Sequence, residues 1–220
     1  MNSVRLWYEK KGLTIYTSHL DMNRCFTRAV RMAGIPLWYT EGFNPHPYMT
    51  FLLPLPLGTV GVREPIDIRT EQDMPKEEIM ARLNAVLPDG IKIVDVTDPV
   101  NKVNEIVSAR YIVDIVFSNE GEAEGFAAGV NAVMESGELM AEKRSKRGIK
   151  TVNLCEMVSS FSAESEGVNV SINTVLATGT QVNLNATLLV DTLCNEFGAD
   201  PEKIRITRTD IYMPESRNFE

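Results

Sequence analysis

The sequence predicts an α+β protein made of tandem ferredoxin-like (split βαβ) domains. Three observations lead there. The first half alternates strand-like and helix-like segments in the order strand, helix, strand, strand, helix, strand. The second half repeats that order in outline, with a hairpin inserted. A chain of 220 residues is also long enough for two domains of about 100 residues, each burying its own core. The expected domains are 1–100 and 108–214, joined by the connection "PVNKVNEIVSA" (99–109).

The first strand is "VRLWYEKKG" (4–12), which alternates apolar and polar positions before "GLTIYTS" leads into a helix. Ser18 has the side chain of a good N-cap, and Asp21 lies near the positive end of the helix dipole, where a carboxylate is favoured. The helix should run to about Ala33, stopped by Gly34 and Pro36. At about 100° per residue, Met22, Cys25, Phe26, Ala29, Val30 and Ala33 share one face, and Arg24, Arg28 and Arg31 gather roughly opposite. "PLWYT" (36–40) reads as a short strand and "EGFNPHPYMTF" (41–51) opens as a loop. "MTFLLPLPLG" (49–58) should stop pairing near Leu53, because Pro54 and Pro56 suit only an edge. "EPIDIRTE" (64–71) is a strand, "MPKEEIMARLNAVLP" (74–88) a helix with Pro75 in its first turn, and "IKIVDVTD" (91–98) a strand.

In the second half "RYIVDIVF" (110–117) reads as a strand and "EGEAEGFAAGVNAVMES" (120–136) as a helix. "ELMAEK" and "IKTVNL" flank the turn "RSKRG" as a β-hairpin. "VNVSINTVLA" (168–177) is a strand, "NATLLVDTLCNEFG" (185–198) a helix between Asn185 and Gly198, and "EKIRITRTDIYM" (202–213) the last strand.

Composition narrows the function. A hydrophobic fraction of 44% and a charged fraction of 24% are those of a soluble globular protein, and no run approaches the roughly 18 apolar residues of a membrane span. With no signal-peptide core at the N-terminus, a cytoplasmic protein is expected. Cys25, Cys155 and Cys194 are far apart and none sits in C-x-x-C, which fits reduced thiols and argues against a zinc ribbon or a cluster held by this chain. No Gly-rich phosphate loop occurs in a strand-to-helix setting, so no nucleotide cofactor is expected, and no metal is expected because His19, Asp21 and His46 do not show the spacing of a ligand set. The net charge of −8 disfavours nucleic-acid binding over the whole surface and leaves room for local basic patches.

Two such patches exist. The Arg24, Arg28 and Arg31 face can hold phosphates, and the stiff loop with Phe43, Asn44 and His46 offers an aromatic, an amide and an imidazole suited to unpaired bases. Read structurally, the same arginines form a solvated face paired with acids such as Glu9 or Glu41, and Pro45 and Pro47 merely fix a crossover with Phe43 packed underneath. The second patch is the hairpin, with Lys143, Arg144, Lys146, Arg147 and Lys150. It suits a nucleic-acid backbone, or equally an edge protected by charge against aggregation. His19 and His46 could divide acid and base roles in a metal-independent ribonuclease, the alternative enzymatic reading.

The run "YTSHLDMNRCFTRAVRMAGIPLWYTEGFNPHPYMTFLLPLPLG" (16–58) resembles the bacterial radical SAM-associated family, whose domain of unknown function accompanies or extends larger radical SAM enzymes. Ser18, His19, Asp21, Arg24, Arg28, Gly34, Pro36, Glu41 to Pro47, Pro54, Leu55 and Gly58 carry the resemblance. Later blocks at 64–68, 83–93, 146–154 and 204–213 follow in order. The chain departs from the family pattern at Tyr48, Asn153 and Leu184. The resemblance implies a non-enzymatic accessory protein, working with a radical SAM protein in trans, in an RNA-modification or processing context. The paired architecture is also similar to that of RAMP-type CRISPR RNA-processing proteins. A protein-interaction module without RNA binding is the remaining alternative.

Overall fold

The computed structural model describes residues 2–145, 148–179 and 182–220, the side chains of Arg144 and Ser145 excepted. It is an α+β protein with four α-helices among the described residues. The chain divides into two compact units, one of residues 1–103 with Glu220 and the other of residues 104–219.

In the first unit the order is β1 (Asn2–Lys10), α1 (His19–Met32), β2 (Met49–Phe51), β3 (Thr59–Thr70), α2 (Lys76–Asn84) and β4 (Ile91–Thr97). All pairings are antiparallel: β1 lies between β4 and β3, and β2 lines the far edge of β3. Side chains alternate across a strand, so Val4, Leu6 and Tyr8 of β1 meet Ile66 and Ile68 of β3 and Ile93 of β4 on one sheet face. Met22, Phe26, Ala29 and Val30 of α1 and Ile79 and Leu83 of α2 close over that face. Burying each large apolar side chain there contributes about 1.5–3 kcal/mol relative to exposure.

The helix boundaries follow from local chemistry. Ser18 Oγ accepts from the Asp21 amide at 3.2 Å and donates to the Asp21 carboxylate at 2.7 Å, closing the first turn of α1. The helix ends at Gly34, whose φ of +64° an L residue adopts only at a cost. Asn84 ends α2 differently, its amide exchanging two hydrogen bonds of 2.8 and 2.9 Å with the backbone of Ile93.

The second unit runs β5 (Ser108–Val116), α3 (Glu120–Ser136), β6 (Met140–Ser145), β7 (Gly148–Asn153), β8 (Val158–Glu166), β9 (Asn169–Ala177), α4 (Ala186–Glu196) and β10 (Lys203–Tyr212). Its main pairing order is β10-β5-β9-β8, again antiparallel, and β6 and β7 form a separate two-stranded sheet. Tyr111, Val113 and Ile115 of β5 and Val170 and Ile172 of β9 are buried, as are Phe126 and Val130 of α3 and Leu189 and Leu193 of α4.

Three expectations change. Residues 36–40 form no strand and pair with their neighbours through the isolated bridges Leu37–Thr70 and Tyr39–Pro47, since Pro36 has no amide to extend a ladder. β3 starts at Thr59, well before Glu64. β8 is an additional strand, missed because "VSSFSAESE" is rich in serine and glutamate. It lies at the end of the pairing order, where one edge needs no partner and most of its residues stay exposed.

Candidate nucleic-acid interface

The outer face of α1 gathers its three arginines. Leu20, Asn23, Arg24, Thr27, Arg28, Arg31 and Met32 line an open groove of about 780 Å³ along the helix. Leu20 and Met32 are exposed at its two ends. Arg24 reaches Asp21 at 3.2 Å, an exposed pair one turn apart that adds only a few tenths of a kcal/mol. Neither Glu9 nor Glu41 neutralises this face: Glu9 pairs with Lys11 at 2.9 Å, and Arg28 and Arg31 make no ion pair among the described residues.

His19 opens α1 and is exposed, its ring edge-on to Phe51 with centres 5.2 Å apart. Phe51 ends the strand that the Pro-rich loop feeds, so the start of α1 lies against the exit of that loop. Phe43 projects fully into solvent, beside Gly42 at φ +127°. The loop closes on itself. Thr40 N–H donates to His46 O at 2.9 Å, His46 N–H donates to Thr40 Oγ1 at 3.2 Å, and Tyr48 N–H donates to Trp38 O at 2.9 Å. The His46 Nδ1 lies 3.2 Å from Asn44 O and 3.1 Å from Thr40 Oγ1. A carbonyl only accepts, so that contact places the neutral ring's proton on Nδ1 and leaves Nε2 as an acceptor. No hydrogen bond or ring contact joins His19 to His46 among the described residues.

Below the loop stands a cluster with no counterpart in the sequence reading. Trp38 and Tyr48 lie with ring centres 5.9 Å apart, and the Arg69 guanidinium sits 4.2 Å from the Tyr48 centre and 5.8 Å from that of Trp38. Each such contact contributes on the order of 0.5–1 kcal/mol at a partly exposed site. The signal in the sequence is a pair of aromatics placed evenly about the loop, Trp38 before it and Tyr48 after it, with Thr40 and His46 two positions further in. It becomes readable only once the two arms are known to pair.

The basic hairpin exists as β6 and β7, with Lys143 directly opposite Lys150. Lys143 Nζ donates to Asn183 O, which relieves part of that like-charge opposition, and Lys150 is exposed. Lys146, Arg147 and the Arg144 side chain lie outside the described residues. Burial pushes the thiols of Cys25, Cys155 and Cys194 above their ordinary value, which suits packing groups rather than nucleophiles. No cluster of three or more His, Cys, Asp or Glu able to hold a metal occurs among the described residues. No described helix is long and apolar enough to cross a membrane.

The profile of the family "Uncharacterized protein conserved in bacteria (DUF2344)" matches residues 3–186. The chain belongs to this family. No curated protein matches it. Among solved structures it is similar to a chain of "Crystal Structure of a Cbf5-Nop10-Gar1 Complex", at 12% identity and a TM-score of 0.50 over 94% of this chain and 48% of that one. The chain thus spans about half of that neighbour, and the likeness is one of fold. It is also similar, at 12% identity and a TM-score of 0.27, to "Crystal Structure of an Unknown Protein from Galdieria sulphuraria", over 94% of this chain and 98% of that one.

In this family member Tyr48, Asn153 and Leu184 have visible structural work. Tyr48 carries the Arg69 contact. Asn153 clamps the hairpin base: its Oδ1 accepts from Leu139 N–H at 3.0 Å and Cys155 N–H at 3.2 Å, and its amide donates to Gly137 O at 2.8 Å. Leu184 is buried ahead of α4.

Proposed function

We propose that this protein is a non-enzymatic accessory factor that binds RNA and works in trans with a radical SAM enzyme. The observation that carries the RNA half is the outer face of α1. It is a folded helix whose apolar side is used in the core and whose Arg28 and Arg31 have no carboxylate partner among the described residues, and its first residue, His19, packs on Phe51 at the exit of an exposed loop of aromatic and hydrogen-bonding groups. On a chain of net charge −8 such a patch concentrates attraction for phosphate in one place. The hairpin lysines Lys143 and Lys150 offer a second contact. The radical SAM half rests on the resemblance of residues 16–58, and assigns radical chemistry to the partner.

We read each unit as ferredoxin-like, because both pairing orders, β4-β1-β3-β2 and β10-β5-β9-β8, place the fourth strand beside the first and the third beside the second. The RAMP-like arrangement and a cytoplasmic location belong to the same proposal. The solved neighbour is a member of a three-protein complex, in keeping with a chain that acts beside partners.

The test is fluorescence anisotropy with labelled tRNA and rRNA fragments. Affinity should fall steeply between about 50 and 200 mM salt and weaken in the Arg24→Ala/Arg28→Ala double variant. Equal affinity of the double variant and the wild type at every salt concentration removes the reading. The tagged protein should also retain a radical SAM protein from its own cells, and RNA bound without any such partner would leave only the RNA half.

A further inference from the structure

We propose that the ribbon formed by residues 38–40, residues 46–48 and the end of β3 is a receptor for unpaired RNA nucleotides, in which Arg69 grips a phosphate and Phe43 stacks on a base. The proposal rests on the RNA reading above and adds the site and the substrate class: single-stranded segments in place of duplex.

Four backbone hydrogen bonds knit the ribbon. Trp38 N–H donates to Arg69 O at 2.9 Å, Tyr48 N–H to Trp38 O at 2.9 Å, Thr40 N–H to His46 O at 2.9 Å, and Arg69 N–H to Tyr48 O at 3.3 Å. Side chains two apart on a paired strand share a face. Thr40 therefore follows Trp38, and His46 precedes Tyr48, on the same side. The 3.1 Å approach of Thr40 Oγ1 to His46 Nδ1 is what that placement requires. The result is one row of the Arg69 cation, the Trp38 and Tyr48 rings and the His46 imidazole, and the loop that joins the two arms carries the fully exposed Phe43.

Arg69 differs from the other arginines of its unit. Arg5, Arg24, Arg63 and Arg82 each meet a carboxylate. Arg28 and Arg31 meet none among the described residues, and no aromatic ring there holds their planes. Arg69 alone combines the two properties a receptor needs. Its plane is held by aromatic rings, and its edge donors have no acceptor among the described residues. A guanidinium so oriented presents a fork that matches two phosphate oxygens and loses little freedom on binding them. His46 Nε2, left as an acceptor, suits a base amino group or a ribose hydroxyl.

Phe43 selects single strands. Its ring is fully exposed among the described residues, and a base inside a duplex already has both faces stacked. Only an unpaired base offers a free face to it.

The deciding experiment uses the full chain and two labelled probes, an oligouridylate of about ten nucleotides and a blunt RNA duplex of similar length. The single strand should bind about tenfold or more tightly, and Phe43→Ala and Arg69→Lys should each weaken it about tenfold while changing duplex binding little. Arg69→Lys keeps the charge and loses the fork; should it fail to fold, Phe43→Ala decides alone, because Phe43 contributes no packing. Single-strand affinity unchanged in Phe43→Ala, with Arg28→Ala/Arg31→Ala still weakening binding, overturns the receptor and keeps the RNA reading. No binding of either probe by the wild type at low salt overturns both, as does capture of a protein partner by this face without RNA.

Discussion

Arg5 and Arg69 stand on neighbouring positions of the same strand pair and have opposite fates. β1 and β3 are in register so that Arg5 faces Asp67 and Ser3 faces Arg69. Arg5 is fully buried, with Nε 2.7 Å and Nη2 3.0 Å from the Asp67 carboxylate, Nη2 donating to Asn101 O at 2.8 Å and Nη1 donating to Glu220 O. Its donors tie β1 to β3, to the connection after β4 and to the last residue of the chain. Two positions along, serine supplies no anion, and Arg69 turns to aromatic faces with its edge open. The comparison separates a cation that holds the fold from one that the fold holds in readiness.

Removing the anion beside Arg5 should give the largest effect. Asp67→Ala leaves a buried guanidinium without its carboxylate, and urea unfolding should show a loss of about 3–5 kcal/mol. Replacing both residues, Arg5→Met with Asp67→Leu, should restore most of that loss, because two desolvated charges then disappear together. A loss below about 1 kcal/mol in the single variant would break the comparison at its structural end.

Lys10 is a second buried cation of the first kind, donating to Thr17 O at 2.9 Å and Ile15 O at 3.3 Å just ahead of α1. Lys10→Met should cost about 1–3 kcal/mol by stranding those carbonyls. Burial pushes the Lys10 ammonium below its ordinary value of 10.5, and the Glu64 carboxylate pulls it partly back. The unfolded chain therefore keeps this proton to higher pH than the folded one. The cost is fully present below the folded value and is relieved as pH rises towards 10.5, so this group's contribution to stability increases across that window. The Cys194 thiol works oppositely: burial and the Asp191 charge raise it, and stability is lost as pH climbs above its ordinary value of 9.0. Urea unfolding of Lys10→Met and Cys194→Ala at intervals through the alkaline range should show difference slopes of opposite sign against the wild type.

Ser18→Ala should cost about 1 kcal/mol through the lost N-cap, with the loss confined to the first turn of α1. Hydrogen exchange of the α1 amides measures it. Because Arg24 sits one turn in, this variant should also soften RNA binding, by less than Arg28→Ala.

What was legible in the sequence divides along the same line. Alternation of Val4, Leu6 and Tyr8, the apolar face of α1, the Ser18 cap and the Asn185 cap are local patterns, and each stands where the pattern places it. The exposed Phe43 tip and the arginine face of α1 are likewise consequences of short-range spacing. The Arg5–Asp67 pair and the Arg69 cluster depend on cross-strand register between residues 62 apart and on closure of the loop from Trp38 to Tyr48. A shift of one residue would exchange the faces, and composition does not reveal it. β8 escaped notice for a related reason: its exposed edge tolerates Ser159, Ser160 and Ser162, so its pairing is decided by β9.

The smallest effect on the fold sharpens the comparison most. Arg69→Met keeps the aliphatic stem against Trp38 and Tyr48 and removes only the cation–ring attraction, so urea unfolding should change by no more than about 1 kcal/mol. Asp67→Ala, two residues earlier on the same strand, should cost several times as much. If Arg69→Met destabilises as strongly as Asp67→Ala, Arg69 is a structural cation like Arg5 and its open edge has no special meaning. If it leaves stability nearly intact and weakens single-strand binding, then the side chain is held in a fixed plane by a fold that does not depend on it, which is the condition a binding group must meet.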